Sequence, residues 1–373
     1  MRLLITGASG NLGTALLRRL YDADVHVVGV CRRPPDAEPP YDRVRWLALD
    51  LADADSGPAL VHAARGADAV VHLAWVIQPS RDLDYQQRGN LGGTRRVLDA
   101  VTRGRVAHLV HASSLAAYAP GPGDRPVDET WPTTGIPSLT YSRHKAAAER
   151  MLDDLERSPD APSVTRVRPN LVLQSAAGSQ LLRYFVGPFV PAPLLPRLPA
   201  APLPRELRFQ AVHADDVADA LLRILDRRAG GAFNFAAEPV LDAGSLARAL
   251  GARLVPVPVA LARPVAAAAW HARLQPTAPG WVDLGVLAPL LDTTRAREVL
   301  GWSPAHTGEE ALTELVAGMA ERAGTASPAL RPRGVVASVA EATARVRRGL
   351  PRRPRRRSVP ATSPPTGDPR ARR

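Results

Sequence analysis

The chain opens Met1-Arg2-Leu3-Leu4-Ile5-Thr6-Gly7-Ala8-Ser9-Gly10-Asn11-Leu12-Gly13, and this opening decides how the rest is read. Residues 2–6 form a short apolar run of strand length, and Leu12, Leu16, Leu17 and Leu20 then recur at helical spacing. Between them stand Gly7, Gly10 and Gly13, spaced by three. Such glycines let the backbone turn tightly, admit a pyrophosphate close to it, and aim the helix's first N–H groups at the anion. Strand, glycine turn and helix in that order predict a dinucleotide site at Gly7, Ser9, Gly10, Asn11, Leu12 and Gly13.

Further strands are expected near residues 25–30, 44–48, 69–73, 106–112 and 163–168, separated by helical patterns such as the stripe of Val97, Leu98 and Val101. The alternation predicts an α/β fold, a Rossmann-type doubly wound parallel sheet. The end of the second strand discriminates between dinucleotides: an acid there bonds the ribose hydroxyls, whereas arginine accepts a 2′-phosphate. Val30-Cys31-Arg32-Arg33 has no acid before Asp36, so Arg32 and Arg33 favour NADP, with NAD as the alternative. Asp50 and Leu51, after the third strand, are placed to meet the adenine, although an Asp at a strand end also serves as a helix cap.

After residue 170 the rhythm breaks. Residues 186–204 contain seven prolines and are read as a long apolar loop, either a lid or a stiffened connection. A strand near 209–212, a helix from 214 to about 225, a strand at 232–235 and helices to about 321 follow. The expected organisation is a cofactor-binding core over 1–170, a smaller, interleaved substrate-binding region over 171–322 that returns core elements at 209–236, and a disordered basic tail over 323–373.

Charge supports that division. Of the net +12, the tail accounts for +11, with 13 Arg against Glu341 and Asp368, so the body is almost neutral. General nucleic-acid binding by the body is thereby disfavoured. For the tail, a solvated extension is preferred; contact with an anionic membrane through the stretch from Val335 comes second, and no specific nucleic acid is expected. One cysteine, Cys31, excludes a disulfide framework and multi-cysteine zinc sites, and no metal site is expected. With no signal-peptide pattern at the start, the expectation is a cytoplasmic protein acting on a small molecule, with self-association left open.

Composition also singles out one side chain. Forty-seven of the 48 basic residues are Arg, and the only lysine is Lys145. It follows Tyr141 by four in Tyr141-Ser142-Arg143-His144-Lys145, which on a helix puts phenol and ammonium on one face. A neighbouring cation lowers a phenol's pKa toward the range where tyrosine trades protons with a substrate oxygen. A hydroxyl partner is offered by Ser113-Ser114 at the end of the 106–112 strand, the edge where open α/β sheets hold ligands.

With these pieces in place, the sequence resembles an extended short-chain dehydrogenase/reductase of the NAD-dependent epimerase/dehydratase family. The similarity runs through Asp50-Leu51, His72-Leu73-Ala74, Asn90 before Gly93-Thr94, Ser113 to Tyr118, Arg168-Pro169, His213 to Ala218, and Asp292 to Arg295 with Leu300-Gly301-Trp302. The resemblance implies Ser114 rather than Ser113 as hydroxyl donor, since it lies four before Tyr118, and it makes Ser114, Tyr141 and Lys145 the catalytic set. It places Tyr141, Lys145, Leu73, Ala74, Asn90 and Arg168 against the cofactor, with His72 beside it and His213 in a structural turn. The implied activity is NAD(P)-dependent hydride transfer at a secondary alcohol or ketone. The alternatives are a sugar-nucleotide epimerase or dehydratase that retains its cofactor, and a non-catalytic NAD(P) sensor. Where sugar-nucleotide members carry diphosphate-binding arginines this chain has Phe209 and Val282, with Arg208 one residue off, and Gln174 replaces a glycine.

Overall fold

The computed structural model describes residues 1–77, 81–186 and 192–332. The tail beyond, including the stretch from Val335, lies outside the described residues. The first half runs β1 (Arg2–Thr6), α1 (Asn11–Leu20), β2 (His26–Cys31), β3 (Arg45–Ala48), α2 (Ser56–Ala64), β4 (Ala69–His72), α3 (Leu83–Gln87), α4 (Gly93–Gly104), β5 (His108–Ala112), α5 (Thr140–Glu156) and β6 (Ser163–Pro169). The second adds β7 (Leu171–Leu173), α6 (Gly178–Leu181), β8 (Ala200–Pro204), β9 (Arg208–His213), α7 (Ala214–Arg227), β10 (Gly231–Phe235), β11 (Ala237–Asp242), α8 (Ala243–Ala249) and β12 (Arg253–Val257). It closes with α9 (Val259–His271), α10 (Gly280–Leu287), α11 (Thr294–Leu300) and α12 (Gly308–Glu321).

Seven parallel strands form one sheet in the order β10-β6-β5-β4-β1-β2-β3. Alternation along β1 divides the core. Leu3 and Ile5 join Leu16 and Leu17 of α1 and Val217, Leu221 and Ile224 of α7 on one face. Leu4 joins Leu60, Val97, Val101 and Leu152 on the other. Helices on both faces explain why these strands read as continuous apolar runs rather than as alternating ones. The strand order reverses at β1, between β2 and β4, and opens a crevice at the strands' carboxyl ends.

The proline-rich stretch is not the uninterrupted loop expected: residues 192–197 make a 3-10 turn, and β8 pairs in parallel with β12. The Arg205 N–H reaches Val257 O, and the Arg253 N–H reaches Pro199 O. By alternation, the N atoms of Pro202, Pro204 and Pro256 therefore all point away from the pairing edge. The prolines cost no ladder hydrogen bond, as in edge strands generally.

Order also extends past Ala323, where the sequence predicted its end. Ser327 and Leu330 are fully buried. The Ser179 N–H donates to Ala323 O, Thr325 Oγ1 pairs with the Tyr41 hydroxyl at 2.7 Å, and Ser327 Oγ donates to Ser9 O at 2.6 Å. Residues 323–332 thus strap the glycine turn. Two small hydroxyl residues with one leucine give no hydrophobic period, which is why composition alone reads the segment as unstructured.

Candidate active site

The glycine turn fits the group its pattern predicts. Gly7 has φ 71°, and a Cβ on it would lie 2.6 Å from Ala74 N; a Cβ on Gly13 would lie 2.4 Å from Gly7 O. The turn is therefore folded as tightly as backbone allows, against Leu73 and Ala74 at the end of β4. α1 starts at Gly10 with no side-chain cap and no acid in its first turn, so the positive end of the helix is left for an external anion. Gln174, standing where a glycine was expected, is buried; it donates to Asn11 O and accepts from Arg18, tying β7 to the start of α1.

At the end of β2, Arg32 donates to the Tyr85 hydroxyl at 2.7 Å, and that hydroxyl donates to Asp50 at 2.8 Å. Arg33 is exposed. Leu51 packs in the core against Gly93.

On α5 the spacing of four continues beyond the pair seen in the sequence, through Tyr141, Lys145 and Glu149. Ser142 locks the helix start: its hydroxyl accepts from the Ile136 N–H at 2.6 Å and donates to Ala116 O at 2.5 Å. Since Ala116 follows Ser114 by two, this clamp brings Tyr141 to Ser114, whose hydroxyl acts to lower the phenol's pKa. Ser114 also accepts from the Ala116 N–H, capping the turn after β5. Ser113 points the other way, donating to Glu149 at 2.5 Å.

Lys145 is buried; its Nζ donates to Ala112 O at 2.7 Å and lies 3.6 Å from the centre of the Trp75 ring. Burial lowers its pKa to about 7, against the opposing charge of Glu149. The expectation that the lysine lowers the Tyr141 pKa is corrected. Burial raises the phenol, Ser114 alone opposes it, and the ammonium, 5.8 Å from the Tyr141 ring centre, donates to a carbonyl and lies over an indole.

Two residues expected against the cofactor are held by protein partners. Arg168 is buried and spends its guanidinium on Glu149 (2.8 and 2.9 Å), Tyr118 Oη and Glu129 O. Asn90 spends its amide on both backbone groups of Val76 and on His144. Each holds the walls of the site. His72, expected beside the cofactor, bridges Thr6 Oγ1 (2.6 Å) and Thr94 Oγ1 (3.1 Å), and burial keeps it neutral with a pKa of about 3. His213 caps α7 by accepting from the Asp215 N–H.

Sequence reasoning missed Glu149, for which burial alone would raise the pKa but the hydrogen bond and charge of Arg168, the Ser113 hydroxyl and Arg166 together lower it. One more step of four along α5 would have found it. It also missed the aromatic wall. Trp75 meets Tyr141 edge-on with centroids 6.3 Å apart, Trp281 lies 5.2 Å from Tyr141, and Phe185 lies edge-on to Trp281 at 5.1 Å. These side chains come from three distant segments, and no local signal joins them.

A model of the NAD dependent epimerase/dehydratase family matches residues 3–236. The chain belongs to this family. An uncharacterized protein of Mycobacterium tuberculosis is 29% identical over 326 residues, covering 87% of this chain but only 31% of that protein's length. The 3 beta-hydroxysteroid dehydrogenase/Delta 5-->4-isomerase of the same organism is 33% identical over 158 residues, 40% of this family member and 42% of that enzyme. Among solved structures, a UDP-glucose 4-epimerase from Bifidobacterium longum in complex with NAD+ and UDP superposes with TM-score 0.64 at 16% identity, covering 86% of this chain and 98% of that one. Its cofactor is of the NAD(P) type, as the family implies. Among the described residues, no helix is long and apolar enough to cross a membrane.

Proposed function

We propose that this family member catalyses reversible NAD(P)-linked oxidoreduction of a secondary alcohol or ketone, with Tyr141 as acid/base. The observation that carries the reading is Tyr141 brought against Ser114 beside the buried Lys145, at the carboxyl edge of the sheet next to its switch point. A bound nicotinamide dinucleotide supplies the hydride acceptor or donor. Gly7, Ser9, Gly10, Asn11, Leu12 and Gly13 would hold its diphosphate, Asp50 and Leu51 its adenine side, and Leu73 and Ala74 would flank it at the turn. Tyr141 Oη takes the alcohol proton in oxidation and returns it in reduction. Ser114 Oγ donates to the substrate oxygen as negative charge develops there. Lys145, buried beside the pair, would hold the cofactor's ribose hydroxyls through its ammonium.

Two arginines and no acid at the end of β2 support NADP as the preferred cofactor, read by Arg32 and Arg33. NADPH should bind more tightly than NADH when both are titrated; equal affinities would reject that preference. The reaction itself is tested with Tyr141→Phe, which should lower turnover about a thousandfold while leaving dinucleotide affinity within a factor of about two, since only the proton path is cut. Retained turnover would remove Tyr141 from the mechanism.

A further inference from the structure

Phe185, Trp281 and Tyr141 form a continuous wall, each ring within about 5 Å of the next by centroid. Phe185 remains 37% exposed, so the outer end of the wall is open to a ligand. Behind it lies a recess of about 240 Å³ lined by Phe185, Ala266, Gln275, Thr277, Ala278 and Val282. Its two polar side chains are turned onto backbone. The Gln275 amide donates to Ala266 O and Thr277 O, and the Thr277 hydroxyl to Tyr184 O and Phe185 O. Among the described residues no charged side chain lines it; Arg263, on α9 with Ala266, is paired with Asp283 at 2.7 Å, and Arg81 is stacked on Trp270 of the same helix.

We propose that this wall and recess form the substrate subsite, and that they take an uncharged molecule with a flat apolar ring fused to or beside the reacting carbon, without a phosphate anchor. Aromatic faces stack on a flat ring, whereas a phosphate entering the recess would lose its hydration and find no cation in return. The inference rests on Tyr141 marking the reacting oxygen: its ring is the inner end of the wall, so a ring stacked on Trp281 brings its neighbouring C–O group to the Ser114–Tyr141 pair.

The test uses the full chain saturated with NADP+ and two probes, 1-tetralone and UDP-glucose, with binding followed by tryptophan fluorescence and saturation-transfer NMR. The ketone should bind saturably and UDP-glucose should not. Phe185→Ala and Val282→Asp should each weaken the ketone about tenfold, the loss of one aromatic contact or the burial of one charge. Circular dichroism and an unchanged NADPH affinity would show both variants folded. Saturable UDP-glucose binding, no binding of 1-tetralone up to millimolar concentration, or full affinity in both folded variants would each overturn the proposal. Turnover is read separately with NADPH. Ketone binding that is sensitive to both variants but gives no reduction upholds the subsite and defeats the oxidoreductase reading, whereas Tyr141-dependent turnover of another alcohol with no ring binding does the reverse.

Discussion

The two halves of the site use opposite physics. On the cofactor side, between α5 and β6, buried charges are engaged: Glu149 is ion-paired with Arg166 and Arg168 and accepts from Ser113, and Arg166 also reaches Asp153 and Glu156. On the substrate side, charges such as those of Arg208 and Arg263 sit at partly exposed positions paired with single acids, and the surface offered to a ligand is aromatic and apolar. The contrast separates two duties. Proton transfer needs oxygen atoms held in place, which a buried ionic lattice supplies because each member is costly to leave unpaired. Substrate choice rests on a surface that can change shape without disturbing that lattice.

If this division is right, substitutions should rank by which half they strike. Glu149→Ala should be the most damaging, since it leaves the buried Arg168 guanidinium without a carboxylate; breaking a buried pair in this way costs about 3–5 kcal/mol, readable in a urea titration. A loss below about 1 kcal/mol would mean that the lattice is not what holds α5 on β6. Ser327→Ala removes the hydrogen bond from the strap to Ser9 O and leaves a buried carbonyl unsatisfied, with an expected cost of about 1–3 kcal/mol. It should also weaken dinucleotide binding, because Ser9 belongs to the glycine turn; unchanged cofactor affinity would confine the strap to a stabilising role. Arg208→Ala should matter least, within about 1 kcal/mol, because its pair with Asp124 is exposed. An Arg208 variant that fails to bind substrate would place a cation in the subsite after all.

The same division explains what could be read without coordinates. In the first half, β1, the glycine turn and the Tyr141–Lys145 spacing are local patterns, so strands, turn and the shared helix face of Tyr141 and Lys145 were legible residue by residue. The wall of Phe185, Trp75 and Trp281 joins segments about a hundred residues apart, and nothing local couples them. The protein partners of Arg168 and Asn90 were not legible for a related reason: a motif marks a residue as fixed in the site without saying what its side chain bonds. The prolines of β8 show a third limit, because their effect depends on which edge of the strand is paired.

Lysine is present only once, which allows the central claim to be tested at a single atom. With 15N-lysine incorporated, the one side-chain resonance belongs to Lys145. In the protein without dinucleotide it should titrate at about pH 7, lowered by burial. The sign for stability follows: between about 7 and the unfolded value near 10.4 the unfolded chain holds a proton that the native chain has lost, so this group's contribution rises with pH across that window. NADP+ or NAD+ should shift the resonance saturably and ADP should not, because only the dinucleotide reaches from the glycine turn to Lys145. A resonance that stays in place while the dinucleotide demonstrably binds would separate the cofactor from the Ser114–Tyr141–Lys145 set and contradict the account.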